Sequence, residues 1–445
     1  MAARVGKRGA FGSRLGFVLA AAGSAIGLGN IWRFPYTVGQ HGGGAFIAVY
    51  VFCVIVLCLP VLFAELAIGR ASQKSPVGAF ERLAPGSRWY LVGGLGVVTG
   101  FAILAFYSVV AGWTLGYLGK ALAGRFAGAV SAEASRQAFG ALTGSAPISI
   151  ALTALFLVLT ASVVRGGIQG GIERASKVLM PVFFVLLVTL AIRSVTLPGA
   201  SAGLHFLFDV DLSKIDLSVI VGALGQALFS LSLGMGAMIT YGSYVSHEEK
   251  LPGAAISVAL ADTAIALLAG LIIFPALFAT GGDPASGTGL VFVVLPTIFH
   301  QLPFGTGFAV AFYALLGIAA LTSTISLLEV VVSYFVDELK WSREWSTWLV
   351  TGACFLLAIP SAFSGAFLGF QSKLFGNYAL AVGAFFICLF VGWKWGVSPA
   401  LGELARGGQR LPMGRLWGMM VRFVAPLVIL VIFLGVAGLF PGVEF

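Results

Sequence analysis

Three carboxylates stand inside long apolar runs of this chain: Glu65, Asp262 and Glu329. An anionic side chain at membrane depth is costly to keep and is usually functional. It can hold a cation, close a hydrogen-bond network or relay a proton. Two adjacent hydroxyls, Thr322 and Ser323, precede Glu329 in the same run. Hydroxyl oxygens suit a hard cation where unwound helix frees carbonyls to join them. They also bond back to a carbonyl one turn earlier, and on residue type alone that is the commoner use. Two glycine pairs, Gly27-Leu28-Gly29 and Gly234-Met235-Gly236, interrupt apolar runs at an offset of 207 residues. Breaks at matching places in two halves point to a midplane site between inverted repeats. Close helix packing accounts for most membrane glycines equally well. Cys53, Cys58, Cys354 and Cys388 all lie in apolar runs and read as small core residues. His41, His205, His247 and His300 are scattered in loops without metal-ligand spacing.

The elements that must carry these groups follow from composition. Of 445 residues, 59% are hydrophobic and only 10% charged, against about 25% charged in a soluble domain. Mean hydropathy is +1.01. So few charges cannot cover a soluble surface, and the chain reads as an integral membrane protein. The apolar runs are continuous rather than alternating, which disfavours a β-barrel. Eleven segments are long enough to span: 12–37, 43–69, 89–123, 147–164, 172–192, 217–244, 252–279, 305–337, 345–362, 375–396 and 416–440. Lipid leaves an open backbone only the helix. With the N-terminus inside, eighteen lysines and arginines face the cytoplasm and seven the outside, so the N-terminus is placed in the cytoplasm. The net charge of +9 is therefore a topology signal, and no nucleic-acid partner is expected. The basic start runs into apolar sequence without a small-residue cleavage site. Residues 193–216 hold Asp209, Asp211 and Asp216, and the 280–304 loop is either a surface loop or one that dips back towards the bundle.

The strings GLGNIWRFPY (Gly27–Tyr36) and GGGAF (Gly42–Phe46) are highly specific. With Gly69-Arg70 after Glu65, FYSVVAGWTLGY (Phe106–Tyr117), GIERASKVLMP (Gly171–Pro181), GQALFSLSLGMGAMITYGSY (Gly225–Tyr244) and LTSTISLLE (Leu321–Glu329), they resemble the neurotransmitter:sodium symporter family over about residues 8–440. The resemblance implies an all-α polytopic membrane protein of about eleven transmembrane helices, with a 5+5 inverted repeat and broken first and sixth helices. Residues 1–445 would form one transporter domain. The first repeat would be 8–192, the second 217–396, and 416–440 an extra eleventh helix.

The resemblance also implies two sodium sites beside a substrate site. The first would use the Ala25 carbonyl, Asn30, Ser230 and Asp262, completed by the substrate carboxylate. The second would use carbonyls of Gly23, Ile26 and Ala319 with the hydroxyls of Thr322 and Ser323. Asp262 stands where many members carry asparagine. Tyr50, Gln226 and Ser230 match the chloride neighbours of chloride-dependent members, but Ala266 stands where those members carry a hydroxyl. The Asp262 charge can replace the anion, so chloride is not expected to be required. The same carboxylate could instead take up a proton on the return step.

Substrate would lie against Ser24, Ala25, Leu28, Gly29, Ile103, Tyr107, Phe229, Ser230, Ser232, Met235, Ser323 and Leu327. Its carboxylate would meet the N–H groups of Leu28 and Gly29 and the Tyr107 hydroxyl, at a broken-helix N-terminus that favours anions. Monoamine carriers place an aspartate at the position of Gly27, so a substrate that supplies its own carboxylate is favoured here. No charge in the pocket answers a charged side chain, whose unpaired burial is prohibitive. Met235 adapts to varied shapes or simply packs. Arg33 would form half an outer gate, although the tenth segment (GFQSKLFGN) offers no aspartate partner. Arg8 with Asp337, near Phe11 and Tyr244, would form the inner gate. Gly171 and Pro181 would mark a helix end able to unwind, or a packing kink.

These residues favour a sodium-coupled symporter, not an enzyme, that imports neutral hydrophobic L-amino acids by alternating access. It would be a monomer or weak homodimer in the bilayer of the inner (plasma) membrane. The competing readings are a proton-coupled carrier, a non-transporting sensor on the same fold, and a membrane enzyme, for which no acid, histidine or nucleophile cluster is evident.

Overall fold

A computed structural model describes residues 9–125, 131–284, 289–301 and 304–436. Among these residues the ordered elements are all helical. Among the described residues nine helices are long and apolar enough to cross a membrane, ten with one bent pair. That pair is α1 (Arg14–Ala25) and α2 (Gly29–Gln40), inclined by 44° across the break. Next come α3 (Gly44–Ser72), α4 (Tyr90–Leu122), α5 (Ala146–Val164) and α6 (Ile168–Val195). The expected sixth span is two pieces, α7 (Leu217–Ser230) and α8 (Ala237–Gly242). The series closes with α9 (Leu251–Ala279), α10 (Gly305–Asp337), α11 (Arg343–Phe363), α12 (Gly365–Trp395) and α13 (Gly414–Leu434). Every expected segment thus has its helix.

Local chemistry sets the ends. Ser13 opens α1 and accepts from Gly16 N; Asp216 opens α7 and accepts from Val219 N. Such caps satisfy amide donors that the helix leaves unpaired. One boundary differs from expectation. The tenth span starts at Gly365, ten residues earlier than 375, because Ser364 caps it by accepting from Phe367 N at 3.2 Å.

The bundle centre is built from α1, α4, α8 and α10. Small residues allow the approach: a methyl on Gly112 would meet Thr153 N at 2.9 Å, and one on Gly100 would meet the Met235 carbonyl at 3.3 Å. Within the 280–304 loop, the described residues 289–301 turn back on the bundle. Leu290, Val291 and Phe292 are buried, and the Phe292 ring stacks on Phe139 at 5.4 Å and meets Trp113 at 6.2 Å. All four cysteines are buried and unpaired.

Candidate functional site

Both breaks put bare backbone at the bundle centre. After Ala25 the chain turns extended at Ile26 and regains helix at Gly29. Between Ser230 and Ala237 it passes through positive φ at Ser232 (54°), Gly234 (80°) and Gly236 (78°). Glycine enters that region without a Cβ penalty, which is why the two glycines sit there. The buried Glu65 carboxylate fixes the turn by accepting from Gly234 N at 2.7 Å. Ser232 Oγ donates to the Ser24 carbonyl at 3.0 Å and so ties one break to the other.

A small cavity lies between them, with about 20 Å³ open to water, room for roughly one molecule. Ten of the twelve expected substrate residues line it: Ser24, Ala25, Gly29, Ile103, Tyr107, Phe229, Ser232, Met235, Ser323 and Leu327, joined by Gly27. Leu28 stands behind the wall with its N–H donating to Tyr107 Oη at 2.7 Å. Ser230 turns away to Asp262. The Leu28 amide and Tyr107 hydroxyl, both expected to meet a carboxylate, here satisfy each other. A methyl on Gly27 would run into Ser323 Oγ and Tyr107 Oη. Overpacking a tight core costs about 1–3 kcal/mol, so Gly27→Ala should weaken binding of any ligand held in this cavity by about tenfold or more. Equilibrium binding of labelled substrate checks this, and an unchanged affinity would put the carboxylate elsewhere.

Of the four groups expected at the first sodium site, Asn30, Ser230 and Asp262 are in contact. Asn30 Nδ2 donates to Ser230 Oγ (3.0 Å), Asp262 Oδ1 (2.8 Å) and the Asp262 carbonyl (3.1 Å). Ser230 Oγ donates to both Asp262 oxygens, at 2.8 and 2.9 Å. Tyr50 donates to Asp262 Oδ2 at 3.3 Å. Asn30 Oδ1 accepts from Gly27 N at 3.1 Å, which fastens this cluster to the break. Gln226 Nε2 is engaged by the Gly29 carbonyl at 2.7 Å. Asp262 is fully buried. Asn30 faces this cluster with Nδ2 while its Oδ1 is held by Gly27 N; the oxygens gathered here are those of Ser230, Tyr50 and Asp262, of the kind a hard monovalent cation takes.

The second group also converges. Thr322 Oγ1 lies 3.0 Å from the Ala319 carbonyl, 3.2 Å from that of Ile318 and 3.5 Å from that of Ile26 on α1. Ser323 Oγ donates to the Ser24 carbonyl at 3.2 Å. A methyl on Gly23 would touch Thr322 Cβ and Met180 Sδ, each at 3.2 Å. Back-bonding within α10 and contact across to α1 therefore coexist at Thr322. These oxygens, too, are of the kind sodium takes.

Phe229 roofs the small cavity. The Arg33 guanidinium lies 4.7 Å above its ring. The acid expected as partner of Arg33 is absent, and its place is taken by an amide: Arg33 donates to Asn377 Oδ1 at 2.5 Å and to the Gly376 carbonyl at 3.4 Å. Asn377 stands in the same GFQSKLFGN string, which holds no acid. Beyond lies a vestibule of about 1030 Å³ bordered by Trp32, Tyr36, Trp113, Phe292 and Lys373.

The opposite side is sealed by aromatics. Phe11 meets Tyr241 at 5.8 Å and Tyr244 at 6.4 Å, and its N–H donates to the Tyr244 carbonyl. Asp337 ends α10, where its carbonyl accepts from Lys340 Nζ. Arg8, its expected gate partner, lies outside the described residues. Glu329 belongs to a polar network: it accepts from Tyr244 Oη at 2.6 Å and pairs with Arg343. Gly171 sits in a wide π-helical turn, Ile168–Glu173, and Pro181 lies inside the helix that follows.

Two facing helix breaks, an enclosed cavity between them and oxygen clusters beside it define a multi-pass membrane transporter. Residues 8–137 and 138–441 match the sodium:neurotransmitter symporter family, and the chain belongs to that family, one of transporters and not of enzymes. It is 39% identical to the sodium-dependent transporter YhdH of Bacillus subtilis, over 96% of this chain and 97% of that one. A sodium-dependent transporter of Haemophilus influenzae is 35% identical, over 96% and 98%. The crystal structure of MhsT in complex with L-phenylalanine superposes with a TM-score of 0.90 at 46% identity, covering 96% of this chain and 99% of MhsT.

Proposed function

We propose that this protein is a sodium-coupled symporter that imports neutral hydrophobic L-amino acids by alternating access, with its N-terminus in the cytoplasm. The observation that carries the reading is the lining of the small cavity, which would widen to admit an amino acid. Its walls are Ile103, Tyr107, Phe229, Met235 and Leu327, with no ionised side chain among its lining residues. Its polar end offers the Gly29 turn and Tyr107 to a carboxylate. The similarity to a protein crystallised with L-phenylalanine supports the same substrate class.

Two sodium ions would bind, one at Asn30, Ser230, Asp262 and the Ala25 carbonyl, the other at Thr322, Ser323 and the carbonyls of Gly23, Ile26 and Ala319. The substrate carboxylate would complete the first site and so couple the two cargoes. Residues 8–192 and 217–396 would form the two inverted repeats, with 416–440 outside them, and the first and sixth helices would rock with their bundle against a scaffold. Chloride would not be needed, because the hydroxyls of Tyr50 and Ser230, which an anion would use, are already directed at the Asp262 carboxylate. The protein would work as a monomer or weak homodimer.

The test is uptake of labelled leucine, phenylalanine and tryptophan into proteoliposomes under an inward sodium gradient, with potassium as control. Sodium-dependent accumulation is expected. Uptake that follows a pH gradient without sodium would favour a proton-coupled carrier, and binding without uptake would favour a sensor.

A further inference from the structure

Glu173 has no role in the site described so far, yet it is the side chain through which α6 grips the start of α1. It is 3% exposed. Its Oε2 accepts from Gly12 N at 2.6 Å, and its Oε1 accepts from Ser13 Oγ at 2.8 Å. Ser13 is itself the cap of α1 and accepts from Gly16 N at 3.0 Å. A carboxylate so placed meets the positive end of a twelve-residue helix and satisfies amide donors that the helix leaves unpaired. The fit is close. A methyl on Gly16 would overlap the Glu173 carboxylate, and one on Gly9 would meet Ile168 Cγ1 at 3.0 Å. Glu173 closes the π-helical turn Ile168–Glu173, which Gly167 enters at φ 78°. Such turns mark weak points in a helix.

The same two helices touch again further in. Met180 Sδ on α6 packs at Gly23, beside Thr322. Gly12 and Gly23 are eleven residues apart, about 16 Å along a helix. We infer that Glu173 is a positioning residue for the second sodium site. By holding the cytoplasmic end of α1 against α6, it keeps the Gly23 and Ile26 carbonyls in place and closes the water path beside Met180. When the 168–173 turn loosens, the carboxylate leaves the helix end. Helix swing and sodium release then become one event. The bond to Lys177 at 2.6 Å is a separate matter: that side chain is 43% exposed, lies one turn along the same helix and adds little.

The proposal rests on the sodium-coupled reading, so its test has one arm that does not need it. Full-length protein in nanodiscs is followed by hydrogen exchange, and in proteoliposomes by sodium-dependent uptake. Glu173→Gln removes the charge. Gly16→Ala pushes the carboxylate aside while leaving its charge in place, and serves if the first variant folds poorly. Lys177→Gln is the control. In both test variants, exchange across 9–20 and 166–180 should accelerate together by about tenfold, the upper part of the range for a partly buried charge at a helix end. Half-saturation by sodium should rise by about three- to tenfold on the same grounds. KM for the amino acid at saturating sodium should change less than about twofold, because no substrate contact is touched. The control should match wild type. Loosening of one segment alone, or an unchanged sodium half-saturation in a loosened variant, would overturn the proposal. Wild-type uptake indifferent to sodium would remove the coupling reading instead, and the exchange arm would still decide whether the two segments are linked through Glu173.

Discussion

Sodium-driven uptake by the Thr322→Val, Ser323→Ala double variant should fall to background. Each hydroxyl would be an ion–dipole contact, of a kind worth about 1.5–3 kcal/mol net. Losing two weakens sodium binding by roughly 100-fold or more. The competing account is that both hydroxyls merely bond back along α10, and Thr322 does lie 3.2 Å from the Ile318 carbonyl. On that account the loss would be small, because those carbonyls keep their place in the helix and valine matches threonine in shape. The size of the effect therefore separates the two. Sodium binding is read directly by isothermal titration, with thermal unfolding as a check that the variant is folded. A half-saturation within about threefold of wild type would remove these residues from the sodium site.

The second large effect is expected at Asp262, whose carboxylate collects bonds from Asn30, Ser230 and Tyr50 in a fully buried place. Asp262→Asn deletes the only charge in that cluster. Removing one partner from a buried charged arrangement costs about 3–5 kcal/mol, so uptake in chloride-free buffer should drop by at least about 100-fold. The donors left behind, the Tyr50 and Ser230 hydroxyls, would then face an uncharged amide. An added anion offers them what the carboxylate did. Uptake by Asp262→Asn should recover in part as chloride is raised at fixed sodium and fixed voltage, while wild type stays indifferent to chloride. A wild-type protein that stops when chloride is withdrawn would contradict the assignment, and so would a variant that works as well as wild type without it.

Much of the architecture could be read from residues. Long apolar runs had to be helices, and the glycine pairs at 27–29 and 234–236 marked where helix would fail. What escaped depends on groups that only the fold brings together. Glu173 lies in the quoted string GIERASKVLMP, but its partners Gly12 and Ser13 are about 160 residues away, and no local pattern announces them. Asn377 stands in the sequence, but an amide carries no charge to mark it as the partner of an arginine. The early start of α12 is signalled by Ser364, a cap residue before an apolar stretch. The 280–304 segment left two readings open. The packing of Phe292 against Phe139 and Trp113 decides between them for the described residues and could not be found from a mixture of glycine and valine.

The amide that holds Arg33 has a consequence for where such a protein can work. A lock made from arginine and an acid weakens when the medium is acid enough to protonate the carboxyl, and ions in the medium screen it. Asn377 neither titrates nor carries a charge to be screened. The hold on Arg33 is then two carbonyl dipoles and an aromatic face, from Asn377, Gly376 and Phe229, none of which titrates. A cell in souring surroundings could rely on this contact as readily as one in neutral water.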